Sequence, residues 1–416
     1  MRIGIISTLF FLASLNLTAQ TAEEYLYSGK AKYDLEDYIG AIQDISKAIE
    51  IDPYNPDECA LRYGFRGLAK HKLGDYRGAI QDYNKAIELD PERVDEYNSR
   101  GSAKGDLGDH RGAIQDYNKA IELDPDFVDA YNNRGIAKYT LGDSEGAIRD
   151  YNKAMELDPY NPDAYALRGL AKGNLGDYEG AVQDFNKVIE LDPYDARAYH
   201  YRGSTKYIIN AHHLGDYRGG IQDYNKAIEL DPDFVDAYND RGIAKYTLGE
   251  YRGAIRDYNM AIELDPDFTL PYFYRGLAKD NLGDYEGAVQ DYGKAIELSD
   301  DCSSTYNNRG VAKHYLGDYK GAIQDYSKAI EIDPYDKDVY RNRCLAKMML
   351  GDNDAAREDL RRATELFEGV NFSRMAESGA TVKEMRIALK DYRKNLKAFY
   401  KIKLDDNPAR CNWNCE

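Results

Sequence analysis

Cysteine is scarce in this chain: five residues in 416, at positions 59, 302, 344, 411 and 415. An odd number at such scattered positions does not describe a disulfide framework, so the fold must be held by packing. Basic excess is also lacking. Lys and Arg total 55 against 73 Asp and Glu, for a net charge of −18. Phosphate backbones require a basic footprint, so nucleic acid is excluded as a main partner. The six histidines include isolated ones such as His71 and His110. His212 and His213 are adjacent but have no identified third ligand, so no metal is expected. No phosphate-cradling loop and no nucleophile with base and orienter can be assembled, which points away from an enzyme and from a cofactor.

Long apolar runs are missing except at the start. MRIGIISTLFFLASLNLTAQ carries one Arg and a mostly apolar stretch from Ile3 to about Leu17. That stretch is too short and too interrupted for a membrane span. It resembles a secretory signal peptide over residues 1–19, cleaved near Ala19, with a retained N-terminal anchor as the alternative. No Cys follows it, so a lipid anchor is not indicated. The expected localisation is therefore outside the cytoplasm, periplasmic or secreted.

What the chain has in abundance is a recurring sentence. YNNRGIAKYTLGDSEGAIRDYNKAMELDP at 131–159 returns almost unchanged as YNDRGIAKYTLGEYRGAIRDYNMAIELDP at 238–266. The closing prolines Pro91, Pro125, Pro159 and Pro193 stand 34 residues apart, as do Pro232 and Pro266. A fixed period overrides the expectation of two or three ordinary domains for this length. Within residues 126–159, Asp126 is expected to cap a first helix starting near Phe127 or Val128. Tyr131, Gly135 and Leu141 fall near one face of it. Gly142 suits the left-handed stop, and Asp143 the next N-cap. Ala147, Ile148, Tyr151, Ala154, Met155 and Leu157 then make a helical stripe ended by Asp158–Pro159. Gly135, Ala137, Ala147 and Ala154 put small residues where the two helices must touch. A lone hairpin cannot bury its stripe and must stack on a neighbour.

A 34-residue helix–turn–helix with these small residues, an aromatic in the second helix and a closing Pro resembles the tetratricopeptide repeat. The resemblance covers about residues 22–367 as roughly ten copies, starting near Ala22, Ala60, Val94, Val128, Pro162, Ala196, Val235, Thr269, Ser303 and Lys337. It implies an all-α, right-handed superhelical solenoid of stacked antiparallel helix pairs, whose first helices line a concave face. Family members bind peptides or partner proteins there. On that basis the candidate contacts are Asn98, Asn132, Ile136, Tyr139, His200, Tyr207, Asn239, Ile243, Tyr246, Phe273, Leu277, Asn307, Val311 and His314. Asn amides can pair with a peptide backbone, and Tyr and Phe offer contact area at small entropic cost; any one of them can instead pack between copies. Most copies have Asn or an apolar residue where relatives that clamp a C-terminal carboxylate carry Lys or Arg, so that specificity is not expected.

Nine copies place Arg before the Gly or its substitute, and all ten place Asp in the second helix. These read as an ion pair between helices, copied with the scaffold, in preference to a ligand-binding ladder. Four residues are inserted in PYNPDECA (53–60) and five in YIINAHH (207–213), and such insertions map to loops. Residues 368–416 break the period. There 381–404 has a Thr381…Glu384 capping box and an apolar face of Met385, Leu389, Tyr392, Leu396 and Phe399. It bears eight Lys/Arg against two acids. Three roles are open to it: a C-terminal capping helix, contact with an anionic surface, and packing on a partner helix. Cys411 and Cys415 are either a local disulfide or two free thiols. A protein- or peptide-binding scaffold is the leading expectation; a surface-associated spacer held by the basic segment is the alternative.

Overall fold

The turn at Leu141–Asp143 shows how the repeated sentence becomes structure. Gly142 takes φ +85°, which an L side chain rarely tolerates. Its N–H donates to Tyr139 O and that of Asp143 to Lys138 O, closing the first helix. Asp143 then caps the next helix, its side chain accepting from Gly146 N at 2.8 Å. In the first copy Glu36 occupies the left-handed position with φ 61°. Glu250 stands at the cap before Tyr251 and makes no side-chain cap bond.

In a computed structural model, residues 21–211 and 217–366 are described. They form twenty helices and divide at Asp192/Pro193 into two compact units. The first unit comprises α1 (Ala22–Asp34), α2 (Tyr38–Ile51), α3 (Pro56–Lys72), α4 (Tyr76–Leu89) and α5 (Val94–Asp106). It continues with α6 (His110–Leu123), α7 (Val128–Thr140), α8 (Ser144–Leu157), α9 (Pro162–Asn174) and α10 (Tyr178–Leu191). The second opens with α11 (Ala196–Ala211), α12 (Tyr217–Leu230), α13 (Val235–Thr247), α14 (Tyr251–Leu264) and α15 (Thr269–Leu282). It ends with α16 (Tyr285–Leu298), α17 (Ser303–Tyr315), α18 (Tyr319–Ile332), α19 (Lys337–Leu350) and α20 (Asn353–Glu365). Within each unit the helices pair in chain order and each pair stacks on the next, with successive first helices also in contact. The architecture is all-α. The segments 1–19, 212–213 and 368–416 lie outside the described residues.

Three local expectations need correction. The helix after Pro125 starts at Val128 with Phe127 as N-cap and no side-chain cap bond. The Asp126 N–H is held by Asp124 Oδ1 at 3.0 Å in a two-residue turn, so the Asp that organises this corner precedes the proline. Leu141 does not join the packed face; it is half exposed because the chain has already begun to turn. The insertion at 53–60 does not make a free loop. It lengthens α3 by about one turn at its N-terminus, with Asn55 as cap and Pro56 in the first turn.

Eight of the ten pairs close around an aromatic ring laid on a glycine. A Cβ on Gly135 would meet Tyr151 Cε1 at 2.5 Å, so no larger residue fits unless the ring moves. Tyr151 and Ala147 are buried and cluster with Ala171 of the following pair, while buried Ala154 packs with Tyr131 and Ala164.

Beside the ring sits a charged clip that recurs in nine of the ten pairs. Arg134 donates from Nε and Nη2 to both oxygens of Asp150, at 2.9 and 2.6 Å. Lys138 Nζ lies 2.7 Å from Oδ2. The remaining arm of Arg134 reaches back to Asn118 Oδ1 on α6, at 2.7 Å. Its guanidinium also lies 5.4 Å from the Tyr131 ring centroid. One arginine thus ties its own two helices together and fastens them to the preceding pair. The Arg–Asp relation read in the sequence is structural, as expected.

The second unit contains one clip whose arm to the preceding pair lacks its Asn. Arg309 pairs with Asp325 at 2.8 Å, but Gly293 stands where Asn118 stands for Arg134. A Cβ there would be 3.8 Å from Arg309 Nη1, so there is room. Gly293→Asn is expected to raise the stability of the second unit by about 1 kcal/mol, adding a hydrogen bond to a charge and removing a helical glycine. A urea titration showing no gain would contradict this account of the clip.

Candidate partner-binding face

The first helices of successive pairs present their positions 5, 6, 9, 12 and 13 to one side of each stack. These positions are already linked from one repeat to the next. In the first unit, Asn133 Nδ2 donates to Asn98 Oδ1 at 3.0 Å. His71 Nε2 lies 2.6 Å from Asp106 Oδ2. Asn132 is buried at 8% exposure, whereas Ile136 at 42% and Tyr139 at 36% are open to solvent. Among the candidates in this unit, those two carry the exposed apolar area.

In the second unit the same face is more deeply packed. His200 is buried, with Nε2 2.9 Å from Asp240 Oδ2. Asp240 also accepts from Ser204 at 3.4 Å and from Asn239 Nδ2 at 3.2 Å. The Tyr207 hydroxyl meets Thr247 Oγ1 at 3.1 Å. Tyr246 is buried, its hydroxyl accepting from Asn281 Nδ2 at 2.9 Å, and desolvation pushes its phenol pKa up. Ile243 and Leu277 pack against the Tyr246–Tyr258 cluster. Phe273 leans on Tyr274 and Tyr292, with centroids 5.4 and 6.0 Å apart. Asn307 is buried and accepts from Asn342 at 2.9 Å. Val311 packs beside Tyr306 and Tyr326. His314 lies against Tyr319, centroids 5.1 Å apart.

Residues not singled out from the sequence also stand here. Asp280, at position 12 of α15, is drawn largely out of water, and desolvation raises its carboxyl to about 6. Its Oδ1 has no hydrogen-bond partner. The sequence did hold a signal: the same column carries Tyr139, Tyr207 and Tyr246 in other copies and Gly, His or Met in others, and Asp280 is its one acid. Among the described residues no cluster of His, Cys, Asp or Glu could hold a metal ion. No helix there is long and apolar enough to cross a membrane.

The helix pairs, their period and the glycine–tyrosine closure can be set beside known proteins. Models of the TPR repeat match residues 67–108, 106–142, 137–176 and 212–249. Tetratricopeptide repeat models match 162–195, 235–268 and 303–336, and another 272–302. Together they span more than half of the chain. The structure of MamA is similar at 31% identity and TM-score 0.37, over 40% of this chain and 94% of that one. YrrB, described as a TPR protein with an unusual peptide-binding site, is similar at 23% identity and TM-score 0.37, over 45% and 95%. A tetratricopeptide repeat protein from Parabacteroides merdae ATCC 43184 has 23% identity and TM-score 0.46, over 61% and 98%. A search of curated proteins returned no match. Matched by repeat models across both units, the chain belongs to the tetratricopeptide repeat family, whose members typically mediate protein–protein interaction.

Proposed function

We propose that this chain is a non-catalytic scaffold that holds a peptide or protein segment against its first-helix face. The observation that carries the reading is the pairing of rigidity with local exposure. Arginine clips immobilise the helices, while Ile136 and Tyr139 leave an aliphatic and an aromatic side chain uncovered on α7. A preformed surface of this kind binds without paying for its own ordering. The charge of −18 favours partners that carry positive charge. The signal-like start supports action outside the cytoplasm, which N-terminal sequencing of the mature protein would test by finding Gln20 first.

Peptides selected by the full chain from a random dodecapeptide display library are the probe for the face. Changing Ile136 and Tyr139 together to Ala is expected to weaken the best of them about tenfold with helix content unchanged. Unchanged affinity would remove the α7 face from the site.

A further inference from the structure

One junction between copies departs from the pattern at three positions. Asp-Pro closes the other copies, whereas Ser299 and Asp300 stand here. The Ser299 hydroxyl donates to Asp301 Oδ1 at 2.7 Å, in place of the turn that Asp124 holds by accepting from Asp126 N. At the start of the next helix, where other copies have Phe127, Phe234 and Phe268 as N-cap, this one has Cys302. The Cys302 side chain is buried and makes no cap bond.

A second observation says what the sulfur does there: Cys302 is disulfide-bonded. The chain holds five cysteines, and Cys59 and Cys344 are buried and free. Cys59 stands in the same column as Cys302 but donates its hydrogen to Asp52 O at 3.3 Å. Cys344 packs with Met348, Ala356 and Leu360. Burial pushes its thiol up to about 12, which keeps it inert. The cysteines left to pair with Cys302 are Cys411 and Cys415.

We infer that Cys302 is the covalent attachment site of the C-terminal tail: it pairs with Cys411 or Cys415 and closes a loop that brings the basic segment 381–404 back to the α16–α17 junction. This pairing replaces both expectations for the two tail cysteines, a bridge between them or two free thiols. Chain length limits how far the segment can stray. Leu404 precedes Cys411 by seven residues and Cys415 by eleven. Its end is therefore held within about 25 Å of Cys302 in the first case and about 40 Å in the second. Eight Lys/Arg against two acids are thereby kept in reach of exposed Asp300 and Asp301, a complementary arrangement of charge.

The bond forms with loss of one hydrogen from each thiol. Two electrons and two protons pass, through a mixed disulfide, to a disulfide oxidant that is released as two thiols. Such oxidants belong to oxidising compartments, so formation in the cell rests on the export reading above. Pairing driven by glutathione disulfide in the tube does not.

The test reduces the full chain, removes the reductant and oxidises with glutathione disulfide. Digestion without reductant and mass spectrometry then read the linkage. The expected product is one peptide pair joining Cys302 to Cys411 or Cys415, with the other three thiols still titrating after unfolding. On a non-reducing gel the closed loop should run ahead of the reduced chain. Cys302→Ser should abolish that shift, as should Cys411→Ser combined with Cys415→Ser. A Cys411–Cys415 peptide, Cys302 joined between two chains, or five free thiols would overturn the inference. Protein alkylated in the producing cells before lysis separates the two readings. The same pair found there supports pairing and export together; a pair formed only with glutathione disulfide supports the pairing and sinks export.

Discussion

Replacing Asp150 with alanine is expected to destabilise the first unit by about 3 kcal/mol, more than any exposed charge substitution. The carboxylate is almost wholly buried and takes two bonds from Arg134 and one contact from Lys138. Removing it strands two cations whose side chains are mostly out of water. Breaking a buried pair from one side costs far more than the pair itself contributes, because the abandoned charge has no solvent to turn to. Arg134→Leu should cost less, since Asp150 keeps Lys138. Glu156→Ala should leave stability nearly unchanged, because the Lys153–Glu156 pair is on the surface. Urea titrations of the three variants check the order. A loss for Asp150→Ala no larger than for Glu156→Ala would mean that the clip is decoration.

The second large effect has the opposite sign. Asp280→Asn is expected to stabilise the second unit by on the order of 2 kcal/mol at pH 7.5. Burial raises this carboxyl from its ordinary value of 3.8 to about 6. A carboxylate whose folded pKa lies above its unfolded one opposes folding when ionised, at about 1.4 kcal/mol for each unit of difference. The penalty is therefore full above pH 6, shrinks as pH falls from 6 towards 4, and is gone below the unfolded pKa. Part of the gain is offset by the amide, which must also be buried. Thermal melts of the wild type and the variant at pH 7.5 and pH 4 decide the matter. The variant should melt higher at pH 7.5 and the two should converge at pH 4; a constant difference would remove ionisation as the cause. A residue that weakens the fold while facing the binding side is the pattern expected where function and stability compete.

The helices were legible because their punctuation is chemical and local. Asp143, Gly142 and the Asp–Pro stops each act within four residues, so one copy sufficed to place α7 and α8, and the period carried the result along the chain. The Arg–Asp pair was legible because it recurs at a constant separation of 16 residues in regular copies. Its third partner was missed, although Asp-Tyr-Asn is repeated as plainly as Arg-Gly. The reason is physical: Arg134 meets Asn118 across the junction of two repeats, and a single copy does not contain both halves of that contact.

The face was harder to read for the same reason. Asn98 and Asn307 look like free amides within one helix, yet each is bonded to the next first helix. Tyr139 and Tyr246 occupy nearly identical sentences, but one is open to solvent and the other buried. The difference comes from the following repeat. Asn281 reaches the Tyr246 hydroxyl, and Tyr274 packs against its cluster, whereas in the pair after Tyr139 the equivalent Asn174 bonds Ser144 Oγ and Leu167 stands in place of Tyr274. Exposure on a stacked face is set by the neighbour.

Site-specific photo-crosslinking in the producing cells would test most directly whether the first-helix face is where partners bind. A benzophenone amino acid at Tyr139 on α7 is compared with one at Gln115, exposed on second helix α6. Discrete crosslinked products from position 139 and none from 115 are the predicted result. Products from 115 alone, or the same set from both, would contradict a partner held against the first helices.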